Sequence, residues 1–426
     1  MSSRYLVMFS LILAGEAIFS LPFHVARFFR ATMLDVFAFS NADLGDVFAV
    51  YGVTAMLAYF PGGTIADRVS PRKLLAISLF FTAGGGLYMA SIPGFFGMSC
   101  LFAYWGVTSI LMFWAAMIRS TREWGGEDSQ GKAFGILDGG RGLIAAGLAS
   151  IAVIVFGHYL GDGVNFAEME NRKAALSNVI YFYTGVTFLA AMVVWVLVPE
   201  SSTSGTSRGS ESMAKIRDVL RRPVVWMQAL IVVCAYCGYK GLDNYSLYAV
   251  EVLGMDEVAA AKFTAANAYL RPVAAIGAGV LADRFSPSRS MAGLFLLLAA
   301  SYGLLSSITP SDSARTVVIA NILVSFAAVY GLRGVYFALL EETKIPKTMT
   351  GTAVGLISLV GFTPDIFFAS IGGRLLDNSP GLAGHQHYFM FLCAIMLTGI
   401  VATVFLMGLA KMKTNAESDV RDLSGN

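Results

Sequence analysis

Runs of about twenty apolar residues recur along the whole chain, and each is long enough to cross a ~30 Å hydrocarbon layer as a helix. Of the 426 residues, 56% are hydrophobic and only 14% are charged, whereas soluble domains carry about 25% charged residues. The mean hydropathy is +0.66. The composition excludes an ordinary cytosolic enzyme and indicates a polytopic membrane protein.

The apolar runs and the breaks between them predict twelve membrane-spanning helices, numbered spans 1 to 12 in chain order. The predicted spans are 5–34, 43–66, 74–93, 95–118, 133–158, 178–198, 224–252, 258–282, 291–308, 316–341, 351–376 and 387–410. The first run continues past Glu16 without a small-residue cleavage site, so we interpret it as a retained helix rather than a signal peptide.

Lys and Arg residues cluster in alternate loops, and short loops rich in these residues stay on the cytoplasmic side of a membrane. With the N-terminus inside, 19 of the 30 cations fall on the cytoplasmic side and six at the outer side. We therefore expect a multi-pass plasma membrane protein with both termini in the cytoplasm. The compact loops suggest the inner membrane of a bacterium.

A Ser/Gly-rich polar segment at 199–222 divides the spans six and six and is typical of a flexible linker. The expected organisation is an N-terminal six-helix bundle (1–198), this cytoplasmic linker, a C-terminal six-helix bundle (223–411) and a cytoplasmic tail (412–426). The sequence at 63–71, after span 2, recurs as 279–287 after span 8, and the start of span 5 resembles the start of span 11. These echoes indicate internal duplication, which is typical of secondary transporters with a binding site between two bundles.

The segment between spans 2 and 3 resembles the G-x-L-A-D-R-x-G-R-[KR] signature of the major facilitator superfamily, from which Ile65 and Ser70 depart conservatively. The resemblance implies an all-α membrane protein with twelve transmembrane helices in two pseudo-symmetric six-helix bundles. It also implies a conformational switch motif, whose residues in the two copies are Gly63, Asp67, Arg68, Arg72, Asp283 and Arg284. We expect Gly63 to permit close helix approach and Asp67 to pair with neighbouring cations. The alternative is that these charges only set the membrane orientation.

Five cations fall inside the predicted spans, where a charge costs at least about 2.5–3.5 kcal/mol and marks a functional site by default. They are Arg27, Arg141, Lys240, Arg271 and Arg333. Asp138 with Arg141, and Lys240 with Asp243, are three residues apart on one helical face, so each pair could neutralise itself locally. A role in transport is the equal alternative for the first pair.

No acidic residue lies three or four positions from Arg27, so Arg27 must pair across helices, be hydrated in a cavity or bind an anionic ligand. Lys240 falls at a comparable depth of the second half, and two such cations could hold a small anion between the halves. The predicted substrate-binding residues are Arg27, Lys240, Arg333, Arg141, Tyr239 and Tyr336. Arg271, which precedes Pro272, could instead bond carbonyls that the proline frees.

The sequence around Arg27, the Ser-x-x-Asp-Leu-Gly at 40–45 and the segment 351–362 resemble the organophosphate:anion antiporter branch of the superfamily. In that branch an arginine of span 7 binds phosphate, and its position falls near Gly238 here. Lys240 can substitute only as a point charge. A carboxylate or another small anion is therefore as consistent with the sequence as a phosphate ester.

Coupling to protons needs a titratable group inside the membrane. The candidates are Glu16, His24, Asp138, Asp243 and Asp365. Glu16 and Asp365 have no cation three or four residues away and are favoured; the alternative is silent pairing across helices. His158, His385 and His387 fall at outer helix ends or loops, where we expect them to be solvated.

The chain lacks a G-x-x-x-x-G-K-[ST] loop, so we expect gradients rather than ATP to drive its activity. No catalytic motif, metal site or cofactor site is predicted, and the balanced charge argues against a nucleic acid partner. The favoured function is a monomeric secondary transporter of a small organic anion, working by alternating access as a proton symporter or an anion exchanger. The alternatives are an inorganic-anion (nitrate-type) carrier, a neutral sugar carrier and a non-transporting sensor on the same fold.

Overall fold

The computed structural model describes residues 2–126, 129–160, 169–200, 217–342 and 350–424, and every regular element in these ranges is a helix. Nine of the helices so described are long and apolar enough to cross a membrane by length and composition. The helices of spans 2, 3 and 8 are consistent with the predicted total of twelve. The predicted all-α membrane architecture is confirmed.

The first six spans match the predicted apolar runs closely. Span 1 comprises the helices Ser2–Phe19, Val25–Phe28 and Arg30–Phe37, with a π-helical turn at Ser20–His24. Spans 2 to 6 are Asn41–Arg68, Pro71–Met89, Phe95–Gly125, Gln130–Leu160 and Met169–Leu197. Span 4 includes a second π-helical stretch, Val107–Trp114.

The last six spans contain more interruptions. Span 7 comprises Pro223–Gly241, a 3₁₀ turn at Leu242–Asn244 and Tyr245–Glu251, and span 8 comprises Glu257–Ala268 and Leu270–Phe285. Spans 9 and 10 are Pro287–Ser307 and Asp312–Val335, followed by a short helix, Leu339–Glu342. Span 11 comprises Thr350–Gly361 and Pro364–Asn378, and span 12 is Leu382–Ser424.

Three of the interruptions fall beside prolines. Pro22 lies inside the π-helical turn of span 1, Pro272 lies just after the break in span 8, and Pro364 begins the second helix of span 11. Proline has no backbone N–H and its ring clashes with the preceding turn, so a helix widens, bends or restarts there. The first two breaks place Arg27 and Arg271 beside irregular backbone.

Side-chain caps define the start of several spans. At span 2 the Ser40 hydroxyl accepts from the Asp43 N–H at 3.0 Å, and the Asp43 carboxylate accepts from the Ser40 N–H at 2.9 Å. The two bonds form a capping box, which satisfies N–H groups that have no partner within the helix. Asp256 caps the first helix of span 8 in a similar way, accepting from the Ala259 N–H.

The packing of the chain divides it into two compact units. Unit 1 contains Met1–Thr206, Leu242–Pro272 and Asp365–His385, and unit 2 contains Ser207–Gly241, Val273–Pro364 and Gln386–Asn426. Unit 1 thus includes parts of spans 7, 8 and 11 that lie toward their predicted outer ends. The sequence predicted two bundles, 1–198 and 223–411, each a single continuous stretch of chain. These limits remain a prediction.

Candidate functional site

Arg27 and Asp243 form a buried ion pair in unit 1. The Arg27 Nε donates to the Asp243 Oδ1 at 2.6 Å, and the Ser246 hydroxyl donates to the Arg27 backbone carbonyl at 2.8 Å. Both charged side chains are about nine-tenths buried. The sequence left three environments open for Arg27, which were pairing across helices, hydration in a cavity and binding of an anionic ligand. In the structure Arg27 pairs across helices. Asp243, which the sequence also offered to Lys240, is its partner.

Glu16 lies at the centre of a second buried charge cluster in unit 1. Its Oε1 is 3.1 Å from the His24 Nε2, and its Oε2 accepts from the Arg141 Nε at 3.3 Å. The His24 Nδ1 is buried and has no hydrogen-bond partner. The cluster therefore joins spans 1 and 5 through a carboxylate that has two possible cationic partners.

Asp138 pairs with Arg271 of span 8, at 2.7 Å between the Arg271 Nη2 and the Asp138 Oδ1. The spacing of Asp138 and Arg141 had suggested that they pair with each other. Instead, Arg141 bonds the Glu16 carboxylate of span 1, and Asp138 bonds the Arg271 guanidinium of span 8. Arg271 likewise contacts a carboxylate, where the sequence had suggested carbonyls freed by Pro272.

Two glycines provide space for the arginine side chains of this cluster. A Cβ at Gly15 would lie 3.1 Å from the Arg141 Cδ, and a Cβ at Gly142 would lie 3.0 Å from the Arg271 Cδ. Such separations are tighter than ordinary van der Waals contact. The stems of Arg141 and Arg271 therefore pass directly over the backbone of spans 1 and 5.

In unit 2, two of the predicted substrate-binding residues are in direct contact. The Arg333 guanidinium lies 4.0 Å from the centre of the Tyr239 ring, a distance suited to a cation–π interaction. Tyr236 stacks beside Tyr239 with ring centres 5.9 Å apart. Lys240, next to Tyr239 in the chain, is 4% exposed. Span 7 therefore brings two tyrosine rings to the Arg333 guanidinium of span 10, one in direct contact and one stacked beside the first.

A neighbouring part of unit 2 carries an unsatisfied polar group. The Gln228 Nε2 donates to the Tyr336 carbonyl at 3.4 Å, while the Gln228 Oε1 is buried without a hydrogen-bond partner. Tyr336 itself is buried. A buried amide oxygen without a partner is uncommon, and it could accept a hydrogen bond from a ligand.

Spans 2 and 11 meet at their predicted outer ends in a contact that sequence reasoning missed. Asp46 accepts two hydrogen bonds from Arg374, at 2.8 and 3.0 Å, and one from the Ser370 hydroxyl at 2.7 Å. Asp377 accepts from the backbone N–H groups of Asn41 at 3.1 Å and Ala42 at 2.7 Å. A carboxylate at a helix N-terminus is electrostatically favourable. We name this contact, formed by Asn41, Ala42, Asp46, Ser370, Arg374 and Asp377, the outer seal.

Glycines bring the two helices of the outer seal into backbone contact. A Cβ at Gly45 would overlap the Ala369 carbonyl, and a Cβ at Gly373 would overlap the Asn41 carbonyl. Both observations are signs of very close helix approach. Glycines and opposite charges at the predicted outer ends were visible in the sequence, but nothing there indicated that spans 2 and 11 are neighbours.

His385 is a correction to the sequence analysis. It was expected to be solvated, but it is fully buried, with its Nε2 2.9 Å from a Glu251 carboxylate oxygen and its Nδ1 3.3 Å from the Asn244 amide nitrogen. The helix Tyr245–Glu251 and the start of span 12 enclose it. Position near a helix end therefore did not indicate exposure.

The switch motif is described in part. The side chains of Arg68, Asp283 and Arg284 are exposed, and the side chain of Asp67 lies outside the described residues. Gly63 does not make the predicted close approach, because a Cβ there would meet nothing within 4 Å. The preceding residue takes that role: a Cβ at Gly62 would lie 3.0 Å from the Leu111 carbonyl oxygen.

The cations near the switch motif have identifiable partners. Arg72 and Lys73 contact Glu200, beyond the end of span 6, at 2.8 and 2.7 Å, and the Lys73 ammonium lowers the pKa of the Glu200 carboxyl by hydrogen bonding and charge. Arg119 donates to the Ala66 carbonyl near the C-terminal end of span 2, at 2.8 Å. Guanidinium groups are favourable at helix C-termini.

Asp365, the remaining proton candidate, is half-buried in the first turn of the second helix of span 11. Its backbone packs against span 2, since a Cβ at Gly52 would approach the Asp365 carbonyl closely. No group of three or more His, Cys, Asp or Glu side chains in the part of the chain that the structure describes is arranged to hold a metal ion.

Curated proteins similar to this chain include two of Escherichia coli (strain K12). Inner membrane protein YqcE is 27% identical over 424 residues, covering 96% of each chain, and inner membrane protein YihN is 26% identical over 409 residues, covering 94% of each. A probable nitrate/nitrite antiporter of Thermus thermophilus, NarK1, is 27% identical over 281 residues, covering 63% of this chain and 59% of the relative.

Solved structures with the same fold include a D-xylose–proton symporter, with a TM-score of 0.72 and 15% identity, covering 95% of this chain and 96% of the symporter. The nucleoside transporter NupG has a TM-score of 0.71 and 12% identity, covering 96% and 99%. The model of the Major Facilitator Superfamily matches residues 10–369. The chain therefore belongs to the Major Facilitator Superfamily and is a membrane transporter that works by alternating access.

Proposed function

We propose that this protein carries a small organic anion, such as a carboxylate, a sugar acid or a phosphate ester, across a bacterial inner membrane. It acts as a monomer with both termini in the cytoplasm and couples the anion to protons or to a counter-anion. The observation that carries the proposal is the contact of Arg333 with Tyr239, beside the buried Lys240.

Charged side chains on membrane spans are costly and mark functional sites by default, and the half-buried Arg333 of span 10 and the buried Lys240 of span 7 are two of them. The Arg333 guanidinium lies over the Tyr239 ring, and a guanidinium in a cation–π contact through its face donates hydrogen bonds through its edge. A carboxylate or phosphate can accept two parallel hydrogen bonds from such an edge.

In unit 1, the Arg27–Asp243 pair supports a regulated second anion contact. Asp243 occupies the Arg27 Nε in this conformation, so a substrate anion that uses Arg27 must compete with an internal carboxylate. Such competition lowers the affinity of Arg27 for a substrate anion and makes its binding readily reversible. Weak binding at several cations suits a carrier, which must release its substrate on the other side.

The similarity to a nitrate/nitrite antiporter supports an anionic substrate, whereas the fold shared with a D-xylose–proton symporter favours no substrate class. A neutral sugar carrier remains the second candidate, because pairing of Arg27 with Asp243 and of Arg271 with Asp138 leaves less net charge for a substrate. A sensor that does not transport is the third.

The Glu16–His24–Arg141 cluster supports proton coupling. His24 and Glu16 are 3.1 Å apart and buried, and together they can bind one proton with little movement. Proton relays of intramembrane carboxylates and histidines are typical of transporters. Asp138, Asp243 and Asp365 are the other acids of unit 1 that could carry the proton, and the first two already contact an arginine.

Thermal unfolding of the purified protein tests the substrate class, because a ligand of the folded state raises stability by mass action, by ~2.7 kcal/mol at 100 times its dissociation constant. The probes are lactate, gluconate, glycerol 3-phosphate, nitrate and xylose, with chloride and sulfate at equal ionic strength as salt controls. We expect stabilisation by one anion class beyond that of the salt controls.

Arg333→Gln should abolish this stabilisation, and Arg315→Gln should leave it intact. Arg315 is the matched control because it lies on the same span as Arg333 but is exposed near the other end of that helix. Stabilisation by xylose alone, unchanged in Arg333→Gln, would contradict the anion proposal and favour the sugar carrier.

A further inference from the structure

Charged side chains of spans 1, 5 and 8 form two ion pairs across helices in unit 1. Glu16 contacts Arg141, and Asp138 contacts Arg271. Arg141 and Asp138 are three residues apart on span 5, a spacing that allows direct pairing on one helical face. Arg141 therefore has a second acid within reach, which Arg271 of span 8 occupies in this conformation.

We propose that Arg141 exchanges Glu16 for Asp138 when the Glu16–His24 pair takes up a proton, and that this exchange releases Arg271 and with it span 8 from span 5. Asp138 and Arg271 are then positioning residues, which link proton binding on span 1 to the docking of a span from the second half of the sequence. The proposal rests on the proton coupling proposed above and names how that coupling is transmitted.

The charge balance favours the exchange whichever atom holds the proton. With His24 neutral, the Glu16–His24 pair has a net charge of −1, and one added proton brings it to zero on either residue. Asp138 keeps its charge throughout. The net attraction of Arg141 to the Glu16–His24 pair therefore falls, while its attraction to Asp138 is unchanged. In a low-dielectric interior such a difference is large compared with its value in water.

The contact lengths indicate which arginine is held more weakly in this conformation. The Arg141–Glu16 bond is the longer one, at 3.3 Å, and the Arg271–Asp138 bond is 2.7 Å. The Asp138 side chain is 46% exposed while Glu16 is 5% exposed, so Asp138 is the acid that a moving guanidinium can approach. Arg271 packs closely against Gly142, and Arg141 packs closely against Gly15. The positions of both arginine side chains therefore depend on the separation of the helices that they join.

Other charged and titratable groups also face Glu16. They are His24 on span 1, Arg141 on span 5, Arg271 on span 8 and the Tyr183 hydroxyl on span 6. Tyr183 is buried, and its hydroxyl has no hydrogen-bond partner. The proposed exchange does not involve its hydroxyl, so Tyr183→Phe is a control that should leave the exchange unchanged.

Disulfide cross-linking between spans 5 and 8 reports the separation of the two helices and needs no substrate. A Cβ at Gly157 would lie 3.4 Å from the Val258 Cγ1, so Gly157→Cys with Val258→Cys suits a disulfide. The four native cysteines, Cys100, Cys234, Cys237 and Cys393, are first replaced by Ala. Cross-linking is measured in the full-length protein at pH 7.5 and at pH 5.5, and a thermal melt confirms that each variant is folded.

We expect Glu16→Gln, which mimics the protonated state, to slow cross-linking at pH 7.5 by at least about fivefold, the low end of ordinary coupling factors. In an Arg141→Gln background, Glu16→Gln should have no such effect, because no guanidinium is left to displace Arg271 from Asp138. Acidification slows disulfide formation in every variant because less thiolate is present, so the pH effect is taken from the ratio of the parent rate to the Arg141→Gln rate at each pH. Acidification should lower this ratio.

Two outcomes would overturn the exchange. One is unchanged cross-linking in Glu16→Gln, and the other is an equal loss in the presence and absence of Arg141. If only the substrate proposal fails, the result is different. The cross-linking rate would still respond to Glu16→Gln and to Arg141→Gln as predicted, but no anion would stabilise the protein. The two proposals therefore fail separately.

Discussion

Arg27 and Asp243 lie 216 residues apart in the chain and share a buried hydrogen bond of 2.6 Å between Nε and Oδ1. The arginine follows the π-helical turn of span 1, and the aspartate lies in the 3₁₀ turn of span 7. Both are therefore held on irregular backbone, where a small change of helix geometry shifts a side chain. A buried pair in this position can open without unfolding a helix.

Asp243→Asn should destabilise the protein strongly, because it leaves the Arg27 guanidinium buried without its carboxylate. Breaking such a pair by removing one partner costs about 3–5 kcal/mol, while replacing both partners is far less harmful. The double variant Arg27→Gln with Asp243→Asn should therefore recover most of the lost stability. Thermal unfolding in detergent of the two single variants and the double variant tests the pair; additive losses would show that the two residues act independently.

The outer seal should be more sensitive to added side-chain volume than the switch motif. Gly45→Ala places a methyl group against the Ala369 carbonyl, whereas Gly63→Ala adds one where nothing lies within 4 Å. We expect Gly45→Ala to separate spans 2 and 11 and to raise the labelling rate of a cysteine at Ser370 by a membrane-impermeant thiol reagent. Gly63→Ala is the control, and equal labelling in both variants would count against the close packing.

Tyr239 should contribute to anion binding through its ring and not through its hydroxyl. Tyr239→Phe keeps the face that Arg333 covers at 4.0 Å, and Tyr239→Leu removes it. A cation–π contact with partial desolvation is worth ~1–2 kcal/mol, so Tyr239→Leu should weaken binding of the stabilising anion by about tenfold. Isothermal titration calorimetry measures the anion affinity of both variants. Equal affinities would show that the Tyr239 ring does not contribute to anion binding.

The lowered pKa of Glu200 predicts that its contacts with Lys73 and Arg72 make a small, pH-dependent contribution to the stability of the protein. Its carboxyl pKa is lowered by the Lys73 hydrogen bond and by the charges of Lys73 and Arg72, so the stabilisation is present above the ordinary glutamate pKa of ~4.3. It is lost as the pH falls through the lowered pKa. Glu200→Gln should lower the melting temperature at pH 7, and this difference should close toward pH 3.5. Glu170→Gln, at an exposed position of span 6, should show no such trend.

The helices were predictable from the sequence because hydropathy and helix length reflect the bilayer directly. The predicted span 43–66 became Asn41–Arg68, and 224–252 became Pro223–Glu251. Breaks inside spans were harder to predict, since Pro22 and Pro272 indicate where a helix can be interrupted but not which irregular turn forms there. The capping box at Ser40 was visible as a sequence pattern, and the structure shows its physical role.

The pairing of charges was not predictable, because helical periodicity identifies neighbours on one helix and not on another. Asp138 and Arg141 have the spacing of a local pair, but each bonds a residue more than 120 positions away. Arg333 and Tyr239 were both singled out as site residues, and their contact emerged only from the fold. The burial of His385 has the same origin, since Glu251 and Asn244 come from a distant part of the chain.

Uptake into proteoliposomes tests the central proposal of anion transport most directly. The anion that stabilises the purified protein is supplied in radiolabelled form outside vesicles, with and without an inward proton gradient or internal unlabelled anion. We predict saturable uptake that Arg333→Gln abolishes and Arg315→Gln retains, accelerated by the proton gradient or by the internal anion. Uptake of xylose with no anion uptake, unchanged in Arg333→Gln, would contradict the proposal.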